Sequence, residues 1–297
     1  MSTPDRPASA VTNAFSIDVE DWFQVSDFED QVRPEDWDGH ESRVVASTRR
    51  LLRLLAEFRV KATFFVLTWN AERHPSLVEE IAADGHEVAT HGHAHRLVYE
   101  LGPDGFRRDL DRSISILERI TGSPPAGYRA PSFSVTSRSM WALPAMLDAG
   151  LEYDSSVFPV QDALYGVPGA RRFPFVIHED HGRRLVEFPM TTARVAGRNL
   201  PLGGGAYLRV LPYPYMRWGM RQVNRGGEPA VVYLHPWEVD PGHPKIRSRG
   251  KRGFSTHYLN LDAMEGKLRR LLSDFHFAPV REVLAERGFL PRPAEAA

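Results

Sequence analysis

Residues 61–91, KATFFVLTWNAERHPSLVEEIAADGHEVATH, open on an apolar β-prone run, pass through a helical segment and end on a second β-prone run. The helical PSLVEEIAADG is closed by Gly85, a residue suited to the position just past a helix end. Strand, helix and strand in succession predict parallel strands joined by a crossover helix. The alternation extends in both directions. Upstream lie NAFSIDVED (13–21) and ESRVVASTRRLLRLLAEFRV (41–60), in which Val44, Val45, Leu51, Leu52, Leu54 and Leu55 form a helical apolar stripe. Downstream come the amphipathic GPDGFRRDLDRSISILERITG (102–122), the strand and loop PAGYRAPS (125–132), the helix and short strand SRSMWALPAMLDAGLEYDSS (137–156), the strand AVVYLHPWEVD (230–240) and the helix LDAMEGKLRRLLSDF (261–275). An α/β fold follows, with most strands delivering their carboxyl ends to one rim, where sheets and barrels of this class carry their chemistry.

Between about residues 160 and 230 the regularity weakens, in pieces such as FPFVIHEDHGRRLVEFPM and LPLGGGAYLRVLPYPY, and this part reads as a lid-like insertion on a single domain covering 13–287. Residues 1–12 and 288–297 read as loose tails with little to bury. The chain has 297 residues, 42% hydrophobic and 25% charged, enough to bury a large core. With 37 basic and 38 acidic residues its net charge is -1, which gives no electrostatic reason to expect nucleic acid or an acidic membrane as partner. There is no cysteine, so a metal would have to be held by His, Asp or Glu. The start, MSTPDRPASAVTN, lacks a basic, apolar targeting pattern, and no run approaches the roughly 18 apolar residues of a membrane span, so a cytoplasmic location is expected.

The second strand of the opening stretch runs into EVATHGHAHR (87–96), with His91, His93 and His95 at every second position. Such a run is also met in solvated loops. As a site, period-two alternation would turn all three rings to one side, while His91 and His95 alone match one helical turn or a wrapped loop. A catalytic metal centre needs a carboxylate as well. Asp18, Glu20 and Asp21 of SIDVED leave the first strand, where they could equally be a solvated strand end or a helix cap. Strand alternation sets Asp18 and Glu20 on one side and Asp21 on the other, which favours Glu20 as ligand and leaves Asp21 as the alternative if the chain has already turned. Two further strand exits carry Arg129 and Pro131 in GYRAPSFS, and Leu234 and His235 in VVYLHPW.

Taken together, SIDVED, HGHAH, RAPS, YDSS and YLHP, in that order over residues 15–236, resemble the motifs of the polysaccharide deacetylases that share the NodB homology domain, carbohydrate esterase family 4. SIDVEDWFQV, HPWEVD and GGGAYLRVLPY are similar to the subgroup associated with exopolysaccharide gene clusters and exosortase systems. The resemblance implies a distorted (β/α)7 barrel and one divalent metal, zinc, held by His91, His95 and an acidic residue of the first motif, with His93 a neighbour. It implies a hydrolase that removes N-acetyl groups from sugars of an exopolysaccharide or its precursor. Asp18 would be the base, oriented by Arg129, itself oriented by Asp154, and His235 the acid. The backbone N–H of Ser132 would face the oxyanion, and Leu234 would line a pocket for the acetyl methyl. The first motif departs from the family's adjacent aspartates, because Val19 separates Asp18 from Glu20.

Trp22, Phe23, Tyr233 and Trp237 flank these positions and could stack on sugar rings or fill core. The basic HPKIRSRGKRGFSTHY (243–258) could grip an anionic glycan or be a solvated loop, and GGGAY suits a tight lid turn. Two other readings stand beside the deacetylase: an allantoinase-like or imidase-like hydrolase of a small amide, and a catalytically silent glycan-binding protein.

Overall fold

A computed structural model describes residues 11–29, 31–162, 164–246 and 256–292, with only the backbone of Asp27. Residues 1–10 and 293–297 of the expected tails, and residues 247–255 of the basic stretch, lie outside the described residues, while Phe289 and Leu290 of the expected carboxyl-terminal tail pack against the core. The strands are β1 (Thr12–Val19), β2 (Thr63–Val66), β3 (Glu87–Thr90), β4 (Gly127–Tyr128), β5 (Tyr153–Asp154), β6 (Phe175–Asp180), β7 (Arg183–Glu187), β8 (Thr192–Val195), β9 (Arg198–Pro201), β10 (Val231–Leu234) and β11 (His276–Ala278). The helices are α1 (Val44–Phe58), α2 (Thr68–Arg73), α3 (Pro75–Ala83), α4 (Val98–Thr121), α5 (Ala142–Asp148), α6 (Ala206–Val210), α7 (Tyr213–Arg225), α8 (Leu261–Asp274) and α9 (Val280–Glu286). Among the described residues, no helix is long and apolar enough to cross a membrane.

The main sheet runs β10-β1-β2-β3-β4-β5-β7-β6, with β11 paired to the start of β1. From β10 to β7 every pairing is parallel, so seven parallel strands curl into the expected barrel, and β6 is added antiparallel at its edge. Side chains alternate across β1. Phe15, Ile17 and Val19 turn outward into the core beneath α1, α3 and α8, with Leu51, Leu55, Ile81 and Leu268, while Ala14 faces inward with Phe65, Tyr153 and Tyr233.

Residues 160–230 do more than the expected insertion. They supply β7, a barrel strand paired with β5, and the segment that closes the ring against β10. There Thr191 Oγ1 donates to Val231 O (2.8 Å) and accepts from Val231 N (2.7 Å). Tyr233 N donates to Gly203 O (2.8 Å) and Gly205 N to Tyr233 O (3.0 Å). The three glycines make this possible: a Cβ on Gly204, at φ +152°, would lie 1.9 Å from Tyr233 O. GGGAY is thus the seam of the barrel rather than a lid turn. The β8–β9 hairpin remains outside the ring.

Candidate functional site

β1, β3, β4 and β10 release their chains side by side, and the loops that follow are tied down tightly. After Val19 the backbone turns at once, Glu20 N donating to Asp18 O (2.9 Å), so Glu20 stays on the inward side with Asp18. The histidine loop is held by α2, whose Thr68 and Trp69 N–H groups donate to the carbonyls of Gly92 and His93. On its other side His93 N donates to Asp109 Oδ2 of α4 (3.0 Å). His95 takes a left-handed backbone, φ 51°, which is costly for a residue with a Cβ and persists where the surroundings impose it.

Glu20, His91 and His95 converge. Glu20 Oε1 lies 2.8 Å from His91 Nε2 and 3.0 Å from His95 Nε2, and one ligand atom from each of the three falls within 4.8 Å of the others. His91 Nδ1–H donates to Arg129 O (2.7 Å), which leaves Nε2 as the lone-pair nitrogen of the neutral ring. Two imidazole Nε2 atoms thus face one buried carboxylate, a donor set of the kind that suits a divalent cation such as zinc. Burial pushes the Glu20 carboxyl up, but His95, His235 and His91 outweigh it and hold the group well below the usual range, ready as an anion.

Asp21 is not brought to this group. Its carboxylate accepts from Ser42 Oγ (2.6 Å) and from the backbone N–H groups of Arg43 and Val44, capping the start of α1, so the alternative ligand in the first motif is corrected to a structural cap. His93 also turns away, its Nδ1 meeting Thr68 Oγ1 at 3.0 Å.

Asp18 and Arg129 form a buried ion pair, Arg129 Nη1 donating to Asp18 Oδ1 (2.7 Å). Arg129 is fixed further by Ser16 Oγ, Ser155 O and Ser155 Oγ and lies over the Phe65 ring at 4.0 Å. Asp154 does not orient Arg129 by direct pairing, which corrects the expectation. Its Oδ1 accepts from Ser156 Oγ, which in turn accepts from Ala130 N (2.8 Å). Its partner in register is Glu187 on β7, fully buried beside it. Burial raises both carboxyls, Asp154 to about 6 and Glu187 well above the usual range, the charge of the neighbouring Asp154 adding to the rise at Glu187. Glu187 went unnoticed because β7 lies in the irregular stretch.

His235 leaves β10 with Nε2 3.9 Å from Glu20 Oε1, and its side chain is 17% exposed. Its Nδ1–H donates to Glu238 Oε1 (2.8 Å), and Glu238 Oε2 accepts from Arg209 Nε (2.6 Å), a pair buried on both sides. Burial lowers the His235 pKa, but Glu20, Glu238 and Asp18 together raise it to about 9. Glu238 and Arg209 are site residues that sequence reasoning missed; the three-residue spacing from His235 to Glu238 was the available signal.

Two expected substrate contacts are corrected. Leu234 is fully buried on the outward face of β10 with Val232, so it cannot line an inward pocket. Trp237 is 5% exposed and stacks between His235 and His257, with Trp22 and Phe23 in the same apolar cluster. Those rings are core, and Tyr233 is buried too. Ser132 lies at the rim with φ 49°, followed by Phe133 at φ 53°. No acceptor among the described residues takes its N–H, while its hydroxyl meets Ser26 Oγ at 2.6 Å.

Residues 35–153 match the family model described as polysaccharide deacetylase, and residues 155–285 match a domain of unknown function, DUF3473. The chain is similar to a peptidoglycan-N-acetylglucosamine deacetylase of Bacillus cereus, 33% identical over 96 residues, 32% of this chain and 35% of that protein. It is similar also to a chitooligosaccharide deacetylase of Rhizobium leguminosarum bv. trifolii, 35% identical over 97 residues, 31% of this chain and 45% of that protein. The chain therefore spans less than half the length of these relatives. A crystal structure from Mycobacterium smegmatis with the polysaccharide deacetylase designation shares the fold, with TM-score 0.61 and 22% identity over 100% of this chain and 97% of that one. Asp18, Glu20 and His235 lie outside the deacetylase match, and the barrel brings them to the histidines inside it. Part of the chain, residues 35–153, is thus similar to the polysaccharide deacetylase family, and the whole chain shares the fold of a solved structure of that designation.

Proposed function

We propose that the chain hydrolyses the acetamido group of N-acetylated sugars, in an exopolysaccharide or its precursor. The observation that carries this reading is the meeting of Glu20, His91 and His95 with a guanidinium-held carboxylate, Asp18, and a carboxylate-held imidazole, His235, at one end of the barrel. The deacetylases among the relatives support the substrate class.

Glu20, His91 and His95 would hold one divalent metal, with zinc fitting their nitrogen and oxygen donors. Bound there, the metal supplies polarisation of the acetamido carbonyl and acidification of water. Asp18 takes the proton of the attacking water, and Arg129 keeps its carboxylate aimed. His235 carries a proton to the departing amine, its Nδ1–H fixed on Glu238 so that Nε2 faces the site. The Ser132 N–H meets the oxygen on which charge develops.

The test is acetate release from N-acetylglucosamine oligomers, with chelator and with added zinc. Release that chelation stops and zinc restores is expected. Asp18→Asn should lower it by a factor on the order of 10² or more while the metal stays bound. Release by Asp18→Asn at the native rate would remove Asp18 from the mechanism, and no release by the native chain from any oligomer would sink the sugar reading.

A further inference from the structure

Residues 188–227 contain six arginines and no acidic residue, in a chain that carries 38 acidic residues among its 297. The net charge of -1 conceals this segregation, which falls in the β8–β9 hairpin, α6 and α7. Gln222 of α7 ties the hairpin to the helix, its Oε1 accepting from Arg194 N (2.7 Å) and its Nε2 donating to Arg194 O (3.0 Å). Two of the six arginines are committed: Arg209 is buried on Glu238, and Arg217 pairs with Asp274 of α8 (3.0 Å). Arg194, Arg198, Arg221 and Arg225 are exposed, and among the described residues none of them has a carboxylate partner.

The same stretch holds exposed apolar surface. α7 buries Tyr213, Met216, Gly219, Met220 and Val223, so helical periodicity puts Pro214, Trp218, Arg221 and Arg225 together on the opposite, exposed face. Trp218 is 42% exposed, with Tyr215 beside it at a ring separation of 5.8 Å. Among the described residues five large apolar side chains are exposed, and four of them lie here: Val195, Leu200, Val210 and Trp218. Val210 ends α6 just before α7, and Val195 ends β8 at the hairpin turn.

Unpaired guanidinium groups call for an anionic partner, and exposed tryptophan and aliphatic side chains among them call for one that is apolar as well. A membrane surface offers both, with lipid phosphates for the arginines and an interface where tryptophan and tyrosine rings settle. A nucleic acid or an acidic polysaccharide would answer the charge and leave the aliphatic side chains in water. A twofold contact between copies would set the same arginines against one another.

We propose that α7 and the β8–β9 hairpin dock the protein on a membrane surface rich in anionic lipid. Trp218 enters the headgroup region, and Arg194, Arg198, Arg221 and Arg225 meet lipid phosphates. Such peripheral docking needs no membrane-spanning helix and does not depend on the deacetylase reading.

Sedimentation of the full chain with lipid vesicles is the test. Vesicles of phosphatidylglycerol mixed equally with phosphatidylcholine should bind the native chain about tenfold or more tightly than phosphatidylcholine alone, and salt should weaken that binding. Arg221→Glu with Arg225→Glu should lower it about tenfold or more, and Trp218→Ser by about fivefold. All three positions are exposed, so circular dichroism should show the fold unchanged. Arg49→Glu with Arg53→Glu, an equal change of net charge on the exposed side of α1, should bind as the native chain does. Lipid brominated near the headgroup should quench the fluorescence of the native chain and not that of Trp218→Phe. No binding to the mixed vesicles, undiminished binding by the α7 arginine variant, or equal weakening by the α1 variant would overturn the proposal. Binding of soluble alginate through Arg221 and Arg225, with none to vesicles, would replace the lipid by a glycan. Quenching that persists in Trp218→Phe would refute the place given to Trp218.

Discussion

Glu238→Gln isolates the buried chain from Arg209 through Glu238 to His235. The substitution keeps the size of the side chain and removes one negative charge 2.8 Å from His235 Nδ1 and 2.6 Å from Arg209 Nε. His235 has its pKa raised from 6.5 to about 9, against the effect of burial, by Glu20, Glu238 and Asp18. At about 1.4 kcal/mol per pH unit this difference is worth on the order of 3 kcal/mol. Because the folded value is the raised one, that stability is fully present below pH 6.5 and is lost as the pH climbs through about 9. Without the Glu238 charge the His235 pKa should fall by on the order of one to two pH units. Arg209 is left buried without its counter-charge, although the carbonyls of Thr256 and His257 still accept from Nη1, so the loss in stability should be near the low end of about 3–5 kcal/mol. The assay is an NMR titration of the His235 ring in chelator-treated protein, with urea unfolding at several pH values. Titration of His235 at the native pH in the variant would refute the argument that Glu238 tunes it. Unaltered stability at neutral pH would refute the argument that Arg209 depends on it.

Three further outcomes are expected. His91→Ala with His95→Ala should abolish stoichiometric zinc in elemental analysis and remove the rise in melting temperature that added zinc gives the native chain. Asp21→Asn should keep the metal but cost about 1 kcal/mol or more in urea unfolding, because its carboxylate caps α1; loss of metal with stability intact would reverse the roles given to Glu20 and Asp21. Glu187→Gln should cost little in stability near neutral pH, since burial and the Asp154 charge already push that carboxyl toward its neutral form, which the amide matches in size. In the native chain the Glu187 contribution is full below pH 4.5 and declines as the pH rises through its raised value, so the variant should show a flatter fall in stability with pH; an unchanged slope would rule out the raised Glu187 carboxyl.

Period and spacing by themselves determined the parallel strands, the helical stripe of α1 and the exits that carry Asp18, His91, Arg129 and His235, because strand alternation and helix ends are local properties of the chain. Alternation also set Glu20 apart from Asp21, and the structure keeps Glu20 inward because the turn after Val19 is tight. Other assignments depended on neighbours distant in sequence. Leu234 and Trp237 had the right residue types beside His235, yet the sheet turns one outward and an aromatic cluster covers the other. Asp154 met Glu187 rather than Arg129 because β7 closes beside β5, a pairing no local pattern in residues 160–230 reveals. Arg209 reached Glu238 only because Gly203, Gly204 and Gly205 let the chain lie against β10 and deliver α6 over the end of the barrel. Local sequence sets which way a side chain leaves its own element, and tertiary closure decides what it meets there.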